Sequence, residues 1–448
     1  MTFCLSEAKG KEMDMRKKLM SILLIASMLV TLLVVGCSNQ TTPTATDTST
    51  ASGEKIELTF WAHQEAWNNS YKKIAEEFTQ KNPNIKINFE FFPYDDYQSK
   101  LQTSLISKSG GTDIYELWGG WAVDFASTGA LAEIPKEMAT GILNDSYPST
   151  IGSLEYDGKL YGLPMEFNIE CGGMFVNQKL LIEGGFTMPT TWDQLIDTAK
   201  KATITDGNEF KVKGFDFVNV DSVTYLLTEM ILSKGGQYLN KDGTVNFTSE
   251  QAKEAFSTLA DLVMKDKVTN LDGLTIPGAL EGYQLLFSDK ALFVPRGPWP
   301  IAEGQDTFGL TYGKDFTYVA MPFYGDNIAF AAETGWALAV DGNSKYKDAA
   351  FEFLKYFYSD DVLLQHDIYC SMIPPKKSIS QSPELIKQMP FAAPLVKILD
   401  KAQYIGNFNT EIFKEAINTT FVDYCSGKYI SVDEALKKLE EDLNSNLY

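Results

Sequence analysis

Cysteine, histidine and positive charge are all scarce in this chain, and each scarcity removes a class of function. Of 448 residues, five are Cys and two are His. Cys4 and Cys37 fall outside the expected folded body, leaving Cys171, Cys370 and Cys425. Three is an odd number, and there is no CxxC or regular spacing, so no disulfide framework is expected. One bridge stays open, although thiols buried as small apolar side chains are the simpler expectation. His63 and His366 are too little material for a His-based metal centre or a Ser-His-Asp relay. Lys and Arg total 39 against 59 Asp and Glu, a formal net charge of −20. A phosphate backbone demands a basic face, so nucleic acid is excluded as a partner. A body lying flat on anionic lipid is excluded on the same ground. GxSxG, HExxH, a P-loop and GxGxxG are all absent. Asn240-Lys241-Asp242-Gly243-Thr244 has the start of a calcium loop but not its acids, and a hairpin turn explains it better. No metal, no cofactor and no covalent chemistry are expected.

The hydrophobic share of 44% and aromatic share of 12% suffice for a large buried core. Ahead of it, Arg16, Lys17 and Lys18 precede an apolar run from Leu19 to Val35. A positive segment, an apolar run and small residues at its end are the parts of a secretory signal. Val34-Val35-Gly36-Cys37 resembles a bacterial lipobox, cut before Cys37, which then carries lipid. An uncleaved single-span anchor is the competing reading; in both the body lies outside the cytoplasmic membrane. Residues 1–36 are therefore set apart as extension and signal, and 37–54 as a Ser/Thr-rich tether.

From Lys55 the pattern is regular. Ile56 to Trp61 alternates as a strand, and Tyr71, Ile74, Ala75 and Phe78 have the spacing of an amphipathic helix. Asn82-Pro83-Asn84 stops it, Ile85 to Phe89 alternates again, Tyr97 to Ser107 is helical, and Asp113 to Leu117 is a strand. Strand, helix, strand, helix, strand implies an α/β lobe with parallel strands. A second regular set runs from Cys171 to Tyr312, and late helices are expected over 348–358 and 431–442. Ligands of such sheets bind beyond the carboxyl ends of the strands. Those ends are Trp61-Ala62-His63-Gln64-Glu65 and Glu116-Leu117-Trp118-Gly119-Gly120-Trp121, both rich in Trp and carboxylate.

Segments in this order resemble the bacterial extracellular solute-binding proteins, specifically the maltose-binding-protein-like group that feeds ABC importers. The resemblance is carried by FTQKNPN at 78–84, PYDDYQSKL at 93–101, GTDIYELW at 111–118, STGALAEI at 127–134 and DGKLYGLP at 157–164. It continues through FVNQKLLIEGGFTMPTTWDQL at 175–195, FSDKALFVPRGPW at 287–299, ETGWALAV at 333–340 and MIPPKKS at 372–378. It spans essentially the whole mature chain; the loop from Ile134 to Leu154 and Cys171-Gly172-Gly173 depart from it. It implies two α/β lobes with a hinge and an interlobe ligand cleft. Lobe one is expected over 55–166 and 317–371, and lobe two over 171–313 and 375–448. It also implies a monomer that captures a carbohydrate and hands it to ABC permease subunits, held at the membrane through lipid on Cys37.

Sugar recognition needs flat aromatic faces against pyranose C–H groups and polar side chains for the hydroxyls. Trp61, Trp118, Trp121, Trp299 and Trp336 fall at expected strand or loop ends, while Trp192 sits on a helix face and reads as core. By the resemblance, Trp299 of GPW is a sugar-stacking position. Glu116, Glu166 and Glu333 are the expected hydroxyl acceptors, with Glu65 and Glu170 weaker alternatives. Asn168 and Arg296 are expected hydrogen-bonders, His63 can reach the site, Tyr225 reads as core, and His366 reads as a surface or packing residue. A lipid-anchored glycoside hydrolase suits the same residues, and a ligand-sensing partner of a membrane receptor would share the fold.

Overall fold

The computed structural model describes residues 54–447 except Ala66, 108–110 and Cys171, and not the side chains of Asp95 and Ile106. The signal, Cys37, the tether up to residue 53 and the thiol of Cys171 therefore lie outside the described residues. Cys370 and Cys425 are free thiols, the first buried and the second half-buried.

Strand β1 (Ile56–His63) pairs in parallel with β2 (Ile85–Phe92) and with β3 (Ile114–Trp118). Between them, α1 (Asn68–Lys81) buries Tyr71, Ile74, Ala75 and Phe78 as the spacing predicts. Pro83 cannot continue that helix, and the Asn82 N–H closes its last turn on the Phe78 carbonyl at 2.8 Å. Helix α2 (Tyr94–Ser107) covers the face of β1 that carries Trp61, and α3 (Gly119–Ser127) follows β3 without a loop. Strand β4 (Leu163–Pro164) ends this stretch of chain.

The second sheet uses β5 (Gly173–Asn177), β6 (Ile204–Asp206), β7 (Glu209–Phe215), β8 (Ala291–Pro295) and β9 (Phe316–Ala320), in the order β9-β5-β8-β7-β6. Helix α4 (Trp192–Ala202) opens on Thr191, whose hydroxyl accepts the Gln194 N–H at 3.3 Å, and it buries Trp192. Helices α5 (Ser222–Ser233) and α6 (Glu250–Met264) complete this stretch. Strand β10 (Phe330–Ala332) then leads to β11 (Trp336–Val340), which closes the first sheet in the order β2-β1-β3-β11-β4. After α7 (Lys347–Phe357) and α8 (Asp360–Cys370), β12 (Ala402–Tyr404) pairs with β10. Helices α9 (Thr410–Cys425) and α10 (Val432–Asn446) pack on the second lobe's core through Phe413, Phe421 and Leu436.

One boundary differs from the expectation. The return to lobe one was expected from residue 317, yet Phe316–Ala320 pairs antiparallel with β5 in the second sheet. Phe316 and Tyr318 bury their rings against Phe175 there, which holds the strand to that core. The crossing instead falls at Glu333–Gly335. Phe167 bridges Thr334, and its N–H donates to the Ile373 carbonyl at 2.6 Å, so the three connections between the lobes lie side by side. The 240–244 stretch is a hairpin turn, with the Asn240 N–H on the Thr244 carbonyl at 2.8 Å. No helix among the described residues is long and apolar enough to cross a membrane.

Candidate functional site

Beyond the end of β1 the chain is stapled in place. Asn68 accepts the Glu65 N–H at 2.8 Å and donates to the His63 carbonyl at 3.1 Å, so His63, Glu65 and Trp67 are presented together. The last residue of β3, Trp118, and the first of β11, Trp336, lie opposite each other in the ladder, their rings 5.2 Å apart. His63 stacks on Trp336 at 4.2 Å. Across from these, β8 is followed directly by Arg296 and then by Trp299, whose ring lies 5.3 Å from the guanidinium. Helix α9 adds Glu411 and Lys414 from its first turn. Its cap, Asn409, accepts the Glu411 N–H at 3.1 Å and donates to Asp124 of α3 at 3.0 Å, docking that turn on lobe one.

These elements enclose a cavity of about 330 Å³ at the junction of the lobes. That volume lies at the small end of ordinary small-molecule sites, roughly 300–1,000 Å³. Of the residues expected from the sequence, His63, Trp118, Glu166, Asn168, Arg296, Trp299 and Trp336 line it. Trp61, Glu116, Trp121 and Glu333 do not. Trp61 lies beneath α2, edge-on to Phe92 and Tyr115 with Lys100 over its ring, so it belongs to the core. Trp121 is buried on α3, edge-on to Trp336. Glu116 is fully buried behind His63, where it takes the ring Nδ1 at 2.6 Å and the Tyr71 hydroxyl at 2.5 Å. It positions the wall of the cavity and does not reach into it. Glu333 is buried behind Lys414, 3.5 Å away, and neither of its oxygens has a hydrogen bond among the described residues. Tyr225 and His366 are fully buried, as expected of packing residues.

Several lining residues had no signal in the sequence: Trp67, Tyr94, Asp221, Glu411 and Lys414. Glu65 and Glu170, the weaker alternatives, line the cavity as well.

The charges form two connected groups, His63 with Glu116 and, joined through Asp221, Lys414 with Arg296. Burial by itself lowers the His63 pKa, but the adjacent Glu116 overcomes this and raises it, while His63 holds Glu116 below its usual value against burial. Lys414 lies 2.8 Å from Glu411 and 3.0 Å from Asp221. Arg296 lies 2.5 Å from Asp221, 3.5 Å from Glu170 and 3.6 Å from Glu281. Burial opposes ionisation of Asp221, yet Lys414 and Arg296 prevail and depress its pKa. Glu166 has no such neighbour among the described residues. Burial pushes it up to about 7, only partly offset by the Trp336 N–H on its Oε1 at 3.0 Å, and Glu170 adds repulsion. Gly335 makes that seat possible, since a Cβ there would stand 2.5 Å from Glu166 Oε1. Burial raises Glu170 too, with Arg296 opposing. No group of three or more His, Cys, Asp or Glu among the described residues is arranged to hold a metal ion.

Two lobes joined by three adjacent connections, with an aromatic and acidic cavity between them, make a hinged receptor for a small solute. The model of the bacterial extracellular solute-binding protein family matches residues 61–363, and the chain belongs to that family. Among curated relatives it is similar to the lactose-binding protein of Rhizobium radiobacter, 26% identical over 326 residues, or 68% of this chain and 71% of the relative. It is also similar to the arabinooligosaccharide-binding protein of Bacillus subtilis, 27% identical over 355 residues and 76% of each chain. Among solved structures, the maltose-bound MalE3 of T. maritima shares the two-lobed fold with a TM-score of 0.73. It is 22% identical, and the match covers 88% of this chain and 100% of that one.

Proposed function

We propose that this protein captures a carbohydrate in the interlobe cavity and delivers it to the permease of an ABC importer. The observation that carries the reading is the lining itself. Trp67, Trp118, Trp299 and Trp336 bring aromatic rings to the lining, and Glu166, Asn168 and Arg296 bring hydrogen-bonding groups, all at one junction of the lobes. Two curated relatives of this chain are named for sugars, which supports the same class. Binding energy would draw the lobes together, and the closed pair is what a permease would recognise. Affinity near micromolar, about −8 kcal/mol, suits capture followed by release. No bond of the ligand is made or broken in this reading, and the protein acts as a monomer.

The direct test is a thermal-shift screen against mono- and oligosaccharides, with polyamines, amino acids and sugar phosphates as controls. A saturable shift with an unmodified sugar is expected. Shifts confined to the control classes would overturn the carbohydrate assignment. Silence accompanied by glycan cleavage would make the protein a hydrolase. The anchoring part of the proposal is separate: Cys37→Ser is expected to abolish labelling by radioactive palmitate and to move the protein out of the membrane fraction. Unchanged labelling would contradict a lipid on Cys37.

A further inference from the structure

We propose that the cleft selects carbohydrates bearing a protonated amine, with the ammonium seated against Glu166; this rests on the carbohydrate reading above. The argument begins with a census of charge. Three cations serve the site, and each is already crowded by carboxylates. His63 has Glu116 at 2.6 Å and Glu65 at 3.7 Å. Arg296 has Asp221, Glu170 and Glu281 within 3.6 Å. Lys414 has Glu411, Asp221 and Glu333 within 3.5 Å. Seven carboxylates thus share three cations, and none of the three is left over for an anionic ligand. A sugar phosphate or a uronic acid would enter a surplus of negative charge in a low-dielectric cleft, which disfavours it.

Glu166 is the eighth carboxylate. It is 7% exposed, lines the cavity, and accepts only the Trp336 N–H, with no cation in ion-pair reach among the described residues. A buried carboxylate in that state is costly unless the ligand neutralises it. A hydroxyl gives it a hydrogen bond, whereas an ammonium gives it a hydrogen bond and a charge.

A second observation separates amino sugars from simple polyamines. Asn168 is 5% exposed and lines the cavity, and its Nδ2 donor has no hydrogen-bond partner among the described residues. That donor needs an acceptor, which a ring or hydroxyl oxygen supplies and a polyamine does not. The ligand must bring both a positive charge and neutral oxygens.

Calorimetric titration of the full chain with matched sugars tests this. Each set shares a skeleton and differs at C2 alone: glucose, glucosamine and N-acetylglucosamine, their β-1,4-linked dimers, and the galactose counterparts, with spermidine beside them. Acetylation keeps the substituent and removes its charge. In at least one set the free amine is expected to bind at least about tenfold more tightly than its neutral partners. In Glu166→Gln that ratio is expected to fall to about one. Equal or tighter binding of the neutral sugars, or a ratio that survives in Glu166→Gln, overturns the proposal and leaves the carbohydrate reading standing. Tighter binding of spermidine than of any sugar overturns both, as does silence across every sugar.

Discussion

Lys414→Met is expected to destabilise the protein by about 3–5 kcal/mol at neutral pH, the range for removing one partner of a buried ion network. The side chain is buried, and its Nζ stands 2.8 Å from Glu411, 3.0 Å from Asp221 and 3.5 Å from Glu333. Burial alone would lower the Lys414 pKa, but these carboxylates raise it well above the usual value, so the ammonium is firmly held. Methionine fills much of the same volume, which isolates loss of charge from loss of packing. Without the ammonium, among the described residues Glu333 has no cation left and Asp221 keeps only Arg296. Urea unfolding checks this at pH 7.5. The deficit should shrink toward pH 5, as orphaned carboxylates take up protons, and should shrink in the double variant with Glu333→Gln. A loss below about 1 kcal/mol would place the pair among weakly coupled surface ion pairs.

Glu166→Gln is expected to work in the opposite direction and to stabilise the ligand-free protein. The folded-state pKa of about 7 lies above the ordinary value of 4.5 because burial disfavours the anion. Folding is therefore favoured while Glu166 is protonated. Its contribution is complete below about pH 4.5 and is lost as pH rises through about 7. A gap of that size is worth about 3 kcal/mol above pH 7. Glutamine keeps an oxygen for the Trp336 N–H and carries no charge. The variant should match the wild type near pH 4.5, exceed it by about 3 kcal/mol at pH 8, and bind ligand less tightly. Equal stability at both pH values would show that Glu166 is solvated in the empty cleft.

The fold was largely legible because its signals are periodic. The stripe Tyr71, Ile74, Ala75, Phe78 and the stop at Pro83 place α1, and strand-end Trp residues beside Gly or Pro mark Trp118, Trp299 and Trp336. What failed was the side of the sheet and the depth. Trp61 and His63 share one face of β1, but α2 lays Lys100 over Trp61 and closes it off, while His63, two residues further on, still lines the cavity beside Tyr94. Glu116 lies in the middle of β3 and not at its end, and it points at His63 and Tyr71 instead of into the cavity. Lys414 and Glu411 carried no signal, since charges in a late amphipathic helix read as solvated. The packing of α9 on the second core through Phe413 and Phe421, with its cap bonded to Asp124, brings that turn to the cleft. The boundary at 317 failed because a short edge strand reads alike for either sheet.

Trp299 decides whether the cavity is where ligand binds. It is half-buried, it lines the cavity from lobe two, and it supports no strand ladder. Its replacement should therefore spare the fold. The decisive measurement is a calorimetric titration of wild type and Trp299→Ala with the sugar giving the largest thermal shift. Wild type is expected to bind one sugar per chain, and the variant to lose about 2 kcal/mol or more, roughly 30-fold in affinity. A variant that binds within about threefold of wild type would put the ligand elsewhere and contradict the account.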